Sequence, residues 1–178
     1  SFVSNTELKI QTGTGDVSIT FGQCIIACGS SSAMIPGLPT NHPSVITSRT
    51  ALNLDDVPER LLVIGGGIVG LELGQVYAVL GSKVSIIEYL PNILPGTDPD
   101  LVKPLQRKLK KQCEAIQVSS KVTKVEPSQN DTLTATIKKD KGSSKEVFNK
   151  VLVSVGRKPN TSLLNTEATG VKVNDSGF

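Results

Sequence analysis

A glycine-rich hexapeptide in this chain has the residue types and spacing to bind a diphosphate, and it consists of Gly65, Gly66, Gly67, Ile68, Val69 and Gly70. Its glycines fit the GxGxxG pattern, in which each has its own physical role. Gly65 permits a tight turn from strand to helix, Gly67 lets the backbone approach a diphosphate, and Gly70 lets the helix pack closely on the strand. The phosphates would lie at the helix N-terminus, where free N–H groups and the helix dipole favour negative charge.

An acidic residue, Glu88, follows the hexapeptide at the distance expected of a ribose-binding group. It comes about 20 residues after Gly67 and ends the next apolar run, where its carboxylate can accept hydrogen bonds from both hydroxyls of an adenine ribose. The same carboxylate would repel a 2′-phosphate, and the adjacent Tyr89 and Leu90 offer no cation to bind one. The pattern therefore favours NAD(H) over NADP(H). Because GxGxxG alone is a weak signal, a glycine turn that serves packing only is the alternative.

These candidate residues require a strand, a helix and a second strand to position them. Residues 60–64 are a continuous apolar run typical of a buried parallel strand, and residues 83–88 are predicted to form the next strand. The helix between them is predicted to bury an apolar stripe at helical spacing, formed by Val69, Leu73, Val76 and Leu80. A right-handed crossover then puts both strands in one parallel sheet.

The C-terminal half of the chain is predicted to form one more helix and several strands. A helix at about residues 98–112 would bury the apolar side chains spaced by four along it, Leu101, Leu105 and Leu109. Alternating apolar and polar residues predict antiparallel pairing around residues 132–138. The other strands are predicted at residues 115–118, 121–125, 145–148 and 151–155.

One segment near the N-terminus has the same sequence pattern as a segment far along the chain. Residues 1–30 are predicted to form a small β-meander that ends in a buried core strand at Cys24–Cys28, before a Pro-rich linker. This strand, like Val151–Val155, is apolar and is followed by a glycine and a polar residue. A glycine at the carboxyl end of a strand is where a cofactor can touch the backbone, although each segment alone could be an ordinary strand end. Together, on either side of a dinucleotide-binding unit, they indicate two nucleotide-binding domains, the second inserted in the first.

Composition and charge narrow the range of functions. The chain has 178 residues, of which 38% are hydrophobic and 20% are charged, as in ordinary globular proteins. A net charge of +3, with four Phe, two Tyr and no Trp, gives no reason to expect nucleic-acid binding. No run approaches the roughly 20 apolar residues of a membrane-spanning helix, so we expect a soluble protein with no membrane partner. The single His and the 3 Cys predict no metal site.

The two ends of the sequence suggest part of a longer polypeptide. The chain begins at Ser1 instead of an initiator Met, and Phe178 at its end is typical of the opening of another strand. We therefore expect further segments before and after it.

Three segments of the chain are characteristic of a known family, and they are Val63–Gly74, Gly81–Glu88 and Gly156–Thr161. They resemble the FAD-dependent pyridine nucleotide-disulfide oxidoreductases, and in particular the branch of that family that oxidises dihydrolipoyl groups. The resemblance extends over essentially the whole chain. The GLELG and GRxPNT elements within these segments are far more specific than GxGxxG.

The fold that this resemblance implies is α/β, a Rossmann-like FAD/NAD(P)-binding fold with a parallel sheet and an antiparallel β-meander. In it, an NAD domain is inserted in part of an FAD domain. Residues 1–50 would be the remainder of the FAD-binding domain, residues 51–160 the NAD-binding domain, and residues 161–178 a return segment toward the FAD domain.

The resemblance also implies roles for individual residues. The stretch from Gly65 to Val69 would form the diphosphate loop, and Glu88 would anchor the ribose. Val122 would contact the adenine side of NAD, and Gly156 would contact NAD through its backbone. Gly29 would touch FAD.

The function implied by the resemblance is a flavoprotein that oxidises dihydrolipoyl groups of 2-oxoacid dehydrogenase complexes and passes electrons through a redox disulfide and FAD to NAD. The expected partners are a dihydrolipoyl domain and, for the full-length parent, a second copy in a homodimer. The expected location is the cytoplasm, or the mitochondrial matrix in a eukaryote.

The family's redox CxxxxC and its His–Glu pair are not in this sequence, so no catalytic residue is expected in this chain. Two alternatives stay open on the residues alone. One is another disulfide or mercuric reductase of the same fold, and the other is an NAD(H)-binding module without catalysis of its own.

Overall fold

The computed structural model describes residues 1–177, so Phe178, expected to open another strand, lies outside the described residues. The strands in chain order are β1 Phe2–Ser4, β2 Glu7–Thr12, β3 Gly15–Thr20, β4 Ser30–Ser32, β5 Val45–Thr47, β6 Arg60–Ile64, β7 Lys83–Ile87, β8 Ala115–Gln117, β9 Lys121–Pro127, β10 Leu133–Lys139, β11 Gly142–Phe148, β12 Lys150–Val153 and β13 Arg157–Pro159. The α-helices are α1 Ser48–Ala51, α2 Ile68–Val79 and α3 Pro99–Gln112, and a short 3₁₀ helix spans Thr166–Thr169.

The chain divides into two compact units. The first unit comprises Ser1–Ser31 together with the chain from Arg157 onward, and the second unit is the continuous segment Ser32–Gly156. The second unit therefore interrupts the first in sequence. Its two ends are neighbours, because the N–H of Ala33 donates to the carbonyl oxygen of Gly156 at 2.9 Å. The cofactor assigned to each domain stays a prediction.

A five-stranded sheet forms the centre of the second unit, with the strand order β5-β12-β6-β7-β8. Every neighbouring pair is parallel. The β6 side chains of Leu61, Leu62 and Val63 are all 0% exposed, which requires that both faces of the sheet be covered. The prediction of a buried parallel strand at residues 60–64, made from their continuous apolar run, is confirmed.

Two different layers cover this sheet, because successive side chains of a strand point to opposite faces. Leu61 and Val63 belong to a core that includes residues of α2 and α3. Leu62 and Ile64 belong to a second core that includes residues of β9, β10 and β11. Those three strands form an antiparallel sheet with the order β11-β10-β9. The antiparallel pairing predicted around residues 132–138 is therefore confirmed.

Helix α2 contacts the sheet through a different face from the predicted one. The residues that it buries are Gly70, Leu71, Gly74 and Tyr77. In the predicted stripe, Val76 and Leu80 are 44% and 47% exposed, so their assignment to the buried face was wrong, whereas Leu73 packs against the core as predicted. The reason is the glycine pair on the buried face: without Cβ atoms, α2 can lie close to the sheet, and close approach outweighs the bulk of the side chains on the opposite face.

Helix α3 begins as predicted, after Asp98, whose carboxylate accepts the Asp100 N–H at 2.9 Å and caps the helix. Its buried face carries Val102 and Leu109, which are 7% and 1% exposed, whereas Leu101 is 69% exposed. The assignment of Leu101 to the buried face was therefore wrong. Val102 and Leu109 lie two turns apart on one side of the helix, and Leu101 is rotated away from that side.

In the first unit, β1, β2 and β3 form the predicted antiparallel meander. The buried strand predicted at Cys24–Cys28 is wrong: these residues belong to none of the sheets formed by residues 1–177, and Ile25 is 92% exposed. An apolar run becomes a buried strand only when other strands pair with it and other layers cover it, and neither is available to this run within the described chain.

Taken together, the parallel sheet, its helices and the antiparallel strands make a mixed α/β fold, as the sequence predicts. Among residues 1–177, no helix has both the length and the apolar character needed to cross a membrane.

The orientation of α2 predicts a difference between two truncations in the same helix. Leu71→Ala removes a side chain that is 4% exposed and should lower the free energy of unfolding by about 2–5 kcal/mol. Val76→Ala removes one that is 44% exposed and should change it by no more than about 0.5 kcal/mol. Urea denaturation of both variants measures the difference, and a larger loss at Val76 would restore the predicted stripe.

Candidate functional site

The glycine-rich hexapeptide forms the turn between the carboxyl end of β6 and the first turn of α2. Gly65 has a φ of +110°, a conformation that side chains disfavour. Its N–H donates to the carbonyl oxygen of Ile87 at 2.9 Å, and an added Cβ would lie 2.5 Å from the carbonyl oxygen of Ser154. Both the backbone conformation and the available space therefore require glycine at this position.

Gly70 sits where α2 comes closest to the sheet. An added Cβ would collide with the carbonyl oxygen of Gly65 and would lie 2.6 Å from Oγ of Ser154. Ser154 follows β12, and its hydroxyl donates to the carbonyl oxygen of Ile64 at 3.0 Å. The close approach predicted for Gly70 thus includes a partner that the local sequence does not reveal, because Ser154 reaches the turn only through the pairing of β12 with β6.

Gly67, in contrast, faces open space. No atom of residues 1–177 lies within 4 Å of the position that its Cβ would take. It is the N-cap residue of α2, and no side chain caps this helix end. The first backbone N–H groups of a helix have no partner within the helix. The turn is thus tightly packed at Gly65 and Gly70 and open at Gly67, the arrangement that a diphosphate approaching the backbone needs.

Glu88 lies immediately after β7 and holds the hexapeptide in place. It is 7% exposed. Its Oε2 accepts the N–H of Gly66 at 2.6 Å, and its Oε1 accepts the N–H of Leu90 at 2.7 Å. A carboxylate has about four lone-pair sites, so each oxygen keeps capacity for a second donor. The same group can therefore fix the glycine turn and accept hydroxyl donors from a ligand.

The other predicted site residues are distributed over the two units. Ile68 and Val69 begin α2 and are 64% and 36% exposed. Gly156 follows β12 with a φ of +131° and open space around its Cβ position. Val122 is 4% exposed within the core between the two sheets, so its side chain offers little surface to a ligand. Gly29 belongs to the first unit and has a φ of +68°.

A cation lies near the ring of Tyr89, the residue after Glu88, although Tyr89 and Leu90 themselves carry none. Nζ of Lys121 is 5.8 Å from the centroid of the Tyr89 ring. The two residues are distant in sequence and meet because Ser119 and Ser120, just before β9, are hydrogen-bonded to Leu90 and Glu88, just after β7. No signal in the local sequence around Glu88 could have identified this lysine.

The cysteines are all free thiols. Cys113 is buried, and burial raises the pKa of its thiol, which disfavours the reactive thiolate. Cys24 is exposed and Cys28 is half-buried, so the expectation that both are small buried residues was wrong, for the same reason as the misassigned strand. Within residues 1–177 no cluster of three or more His, Cys, Asp or Glu side chains could hold a metal ion.

Comparison with known proteins identifies the class that this fold and site define. The pyridine nucleotide-disulphide oxidoreductase family matches residues 3–178, and the chain belongs to this family. The resemblance predicted from the glycine motifs is thereby confirmed.

Its curated relatives include proteins named dihydrolipoyl dehydrogenase. The protein of that name from Vibrio cholerae is 34% identical over 177 residues, which are 99% of this chain and 37% of the relative. The one from Thermus scotoductus is 43% identical over 157 residues, which are 86% of this chain and 34% of the relative. The chain thus spans little more than a third of the length of these relatives.

Solved structures with the same fold include other disulfide reductases. The Cu(II) complex of the HOCl-induced flavoprotein disulfide reductase RclA from Escherichia coli superposes with a TM-score of 0.84 at 28% identity, covering 99% of this chain and 39% of that one. The homologues are therefore dihydrolipoyl dehydrogenases and related flavoprotein disulfide reductases.

The contrast between Gly67 and Gly70 predicts opposite outcomes for one substitution. Gly70→Ala should lower the free energy of unfolding by about 3 kcal/mol, because its Cβ meets backbone and a fixed hydroxyl. Gly67→Ala should cost less than about 1 kcal/mol, because its Cβ enters open space at an N-cap position. Thermal and urea unfolding of the two variants provide the measurement. Equal losses would contradict the description of Gly67 as the open side of the turn.

Proposed function

We propose that the chain is the central NAD-binding portion of a flavoprotein that oxidises dihydrolipoyl groups of 2-oxoacid dehydrogenase complexes and passes electrons through a redox disulfide and FAD to NAD. The family membership and the dihydrolipoyl dehydrogenases among the curated relatives support the parent activity. The portion assigned to this chain follows from the site in its second unit.

The observation that carries the proposal is the pairing of Glu88 with the glycine turn. The carboxylate is fixed at 2.6 Å from the Gly66 nitrogen, directly before the open, uncapped helix end at Gly67. A dinucleotide would extend from the carboxylate to the helix end: ribose hydroxyls would donate to Glu88, and the diphosphate would accept from the backbone N–H groups. A glycine turn that serves packing alone gives no reason for the open side at Gly67.

In this reaction, the residues of this chain would bind and orient the two cofactors, NAD and FAD. Gly65 to Gly70 would hold the diphosphate, Glu88 the adenine ribose, and the backbone at Gly156 would contact NAD. Gly29, whose φ of +68° and surrounding space suit a backbone contact, would touch FAD. FAD, when bound, supplies the transfer of electrons between the dithiol and the nicotinamide. No catalytic residue is assigned to this chain.

The domain assignment is proposed as the sequence suggests it, with an FAD domain interrupted by an NAD domain. The partner would be the dihydrolipoyl domain of a 2-oxoacid dehydrogenase complex, and the full-length protein would form a homodimer. The protein would act in the cytoplasm, or in the mitochondrial matrix in a eukaryote.

A second candidate is a flavoprotein reductase of the same fold with another substrate. The likeness to RclA, at 28% identity and a TM-score of 0.84, favours it. Oxidation of dihydrolipoamide by the full-length protein would separate the two candidates, because only the first predicts this activity. A redox CxxxxC upstream and a His–Glu pair downstream in the full reading frame would instead separate the enzyme from an NAD(H)-binding module without catalysis of its own.

Nucleotide binding by this chain tests the proposal directly. Calorimetric titration should give measurable binding of NADH and weaker binding of NADPH. Glu88→Ala should weaken NADH binding by about 1–3 kcal/mol, the usual range for lost hydrogen bonds to a charged group. NADPH binding should hold or improve, because the repelling charge is gone.

Because Glu88 also fixes the glycine turn, its variant needs a control. Glu126→Ala removes a half-buried acid, paired with Lys124, from the far end of β9 and should leave NADH binding unchanged. Unfolding curves of both variants should establish that they are folded at the titration temperature. Unchanged NADH affinity in folded Glu88→Ala protein would remove Glu88 from the site, and absence of NADH binding by the unaltered chain would refute nucleotide binding by this unit alone.

A further inference from the structure

The Lys121 ammonium lies near the ring of Tyr89, the residue that follows Glu88. The N–H of Ser120 donates to the carbonyl oxygen of Glu88, and the N–H of Ser119 donates to that of Leu90, both at 2.9 Å. These two bonds fasten the residues before β9 to the residues after β7. Lys121 is the next residue, and its Nζ lies 5.8 Å from the centroid of the Tyr89 ring, within the range of a cation–π interaction.

This cation has no carboxylate partner. Lys121 forms no ion pair among residues 1–177, in contrast to Lys124 on the same strand, which pairs with Glu126 at 2.7 Å. Directly across the ladder, Lys121 is in register with Lys138 of β10, which likewise has no ion pair in that range. Two like charges directly opposite in a sheet repel each other. An anion bound near Lys121 would relieve this repulsion.

The position of Lys121 suggests which anion it meets. In a dinucleotide bound as proposed, Glu88 accepts the ribose hydroxyls, and NADP carries a phosphate on the 2′ oxygen at that point. The ribose would thus lie between a carboxylate that repels the 2′-phosphate and an ammonium that attracts it. Discrimination between the two dinucleotides then depends on both charges.

We propose that Lys121 is a specificity-determining residue that attracts the 2′-phosphate of NADP(H) and so limits the preference for NAD(H) set by Glu88. This inference rests on the proposed nucleotide site. A cation–π contact with the Tyr89 ring favours this position of the lysine, and Lys138, in register with Lys121, adds positive potential. The preference for NADH is therefore expected to be moderate, with NADPH binding that can still be measured.

The experiment compares dissociation constants of NADH and NADPH for the unaltered chain and for Lys121→Gln at low salt. NADPH binding should weaken three- to tenfold more than NADH binding in this variant. The difference should shrink at about 1 M salt, where the Debye length is about 3 Å. The matched control is Lys111→Gln, which removes one charge from the end of α3, near the amino ends of β7 and β8, whereas Glu88 follows the carboxyl end of β7, and it should leave both constants unchanged.

The outcomes separate this inference from the site itself. If the unaltered chain binds NADH but Lys121→Gln changes both constants equally or neither, Lys121 does not read the 2′ position and the inference fails while the site stands. If NADPH does not bind at all to the unaltered chain, Lys121 offsets nothing and the inference fails as well. If neither dinucleotide binds, the proposed site fails and the inference fails with it.

Discussion

The hydrogen bond from the Gly66 N–H to the Glu88 carboxylate, 2.6 Å long, is the interaction on which the site depends. It joins the turn after β6 to the residue after β7 and so connects the carboxyl ends of two neighbouring parallel strands. Since Glu88 is nearly buried, its charge is stabilised by these backbone donors. The same contact thus fixes the position of the turn before α2 and the position of the Glu88 carboxylate.

Close packing at the glycine turn explains which face of α2 is buried. Gly70 approaches the carbonyl of Gly65 and the hydroxyl of Ser154 so closely that no side chain fits. That constraint sets the rotation of α2 and turns Val76 and Leu80 outward. Hydrophobic periodicity could not predict this, because it counts apolar side chains and ignores the attraction gained when two backbones come together without them.

Local patterns were sufficient for most strands of the second unit and for the glycine turn, because buried runs and turn residues act within a few positions. They did not predict the three-residue edge strand β5, which forms by pairing with β12. Contacts between residues distant in sequence could not be predicted from such local patterns. Ser154 and Lys121 reach the site through strand pairing, and no feature of the sequence near Gly65 or Glu88 indicates them. The prediction that Cys24–Cys28 is a buried strand was wrong for a related reason, because an apolar run does not specify which strands pair with it.

The hydrogen bond between Ala33 and Gly156 has a consequence for how a chain with an interrupted unit can fold. The segments on either side of Ser32–Gly156 would have to close a long flexible loop if the second unit were unfolded, with an entropic cost that grows with loop length. Once that unit has folded, its ends are a hydrogen bond apart, and the loop to be closed is in effect very short. The inserted unit therefore adds little to the entropic cost of folding the first unit, and this cost depends little on the length of the insert.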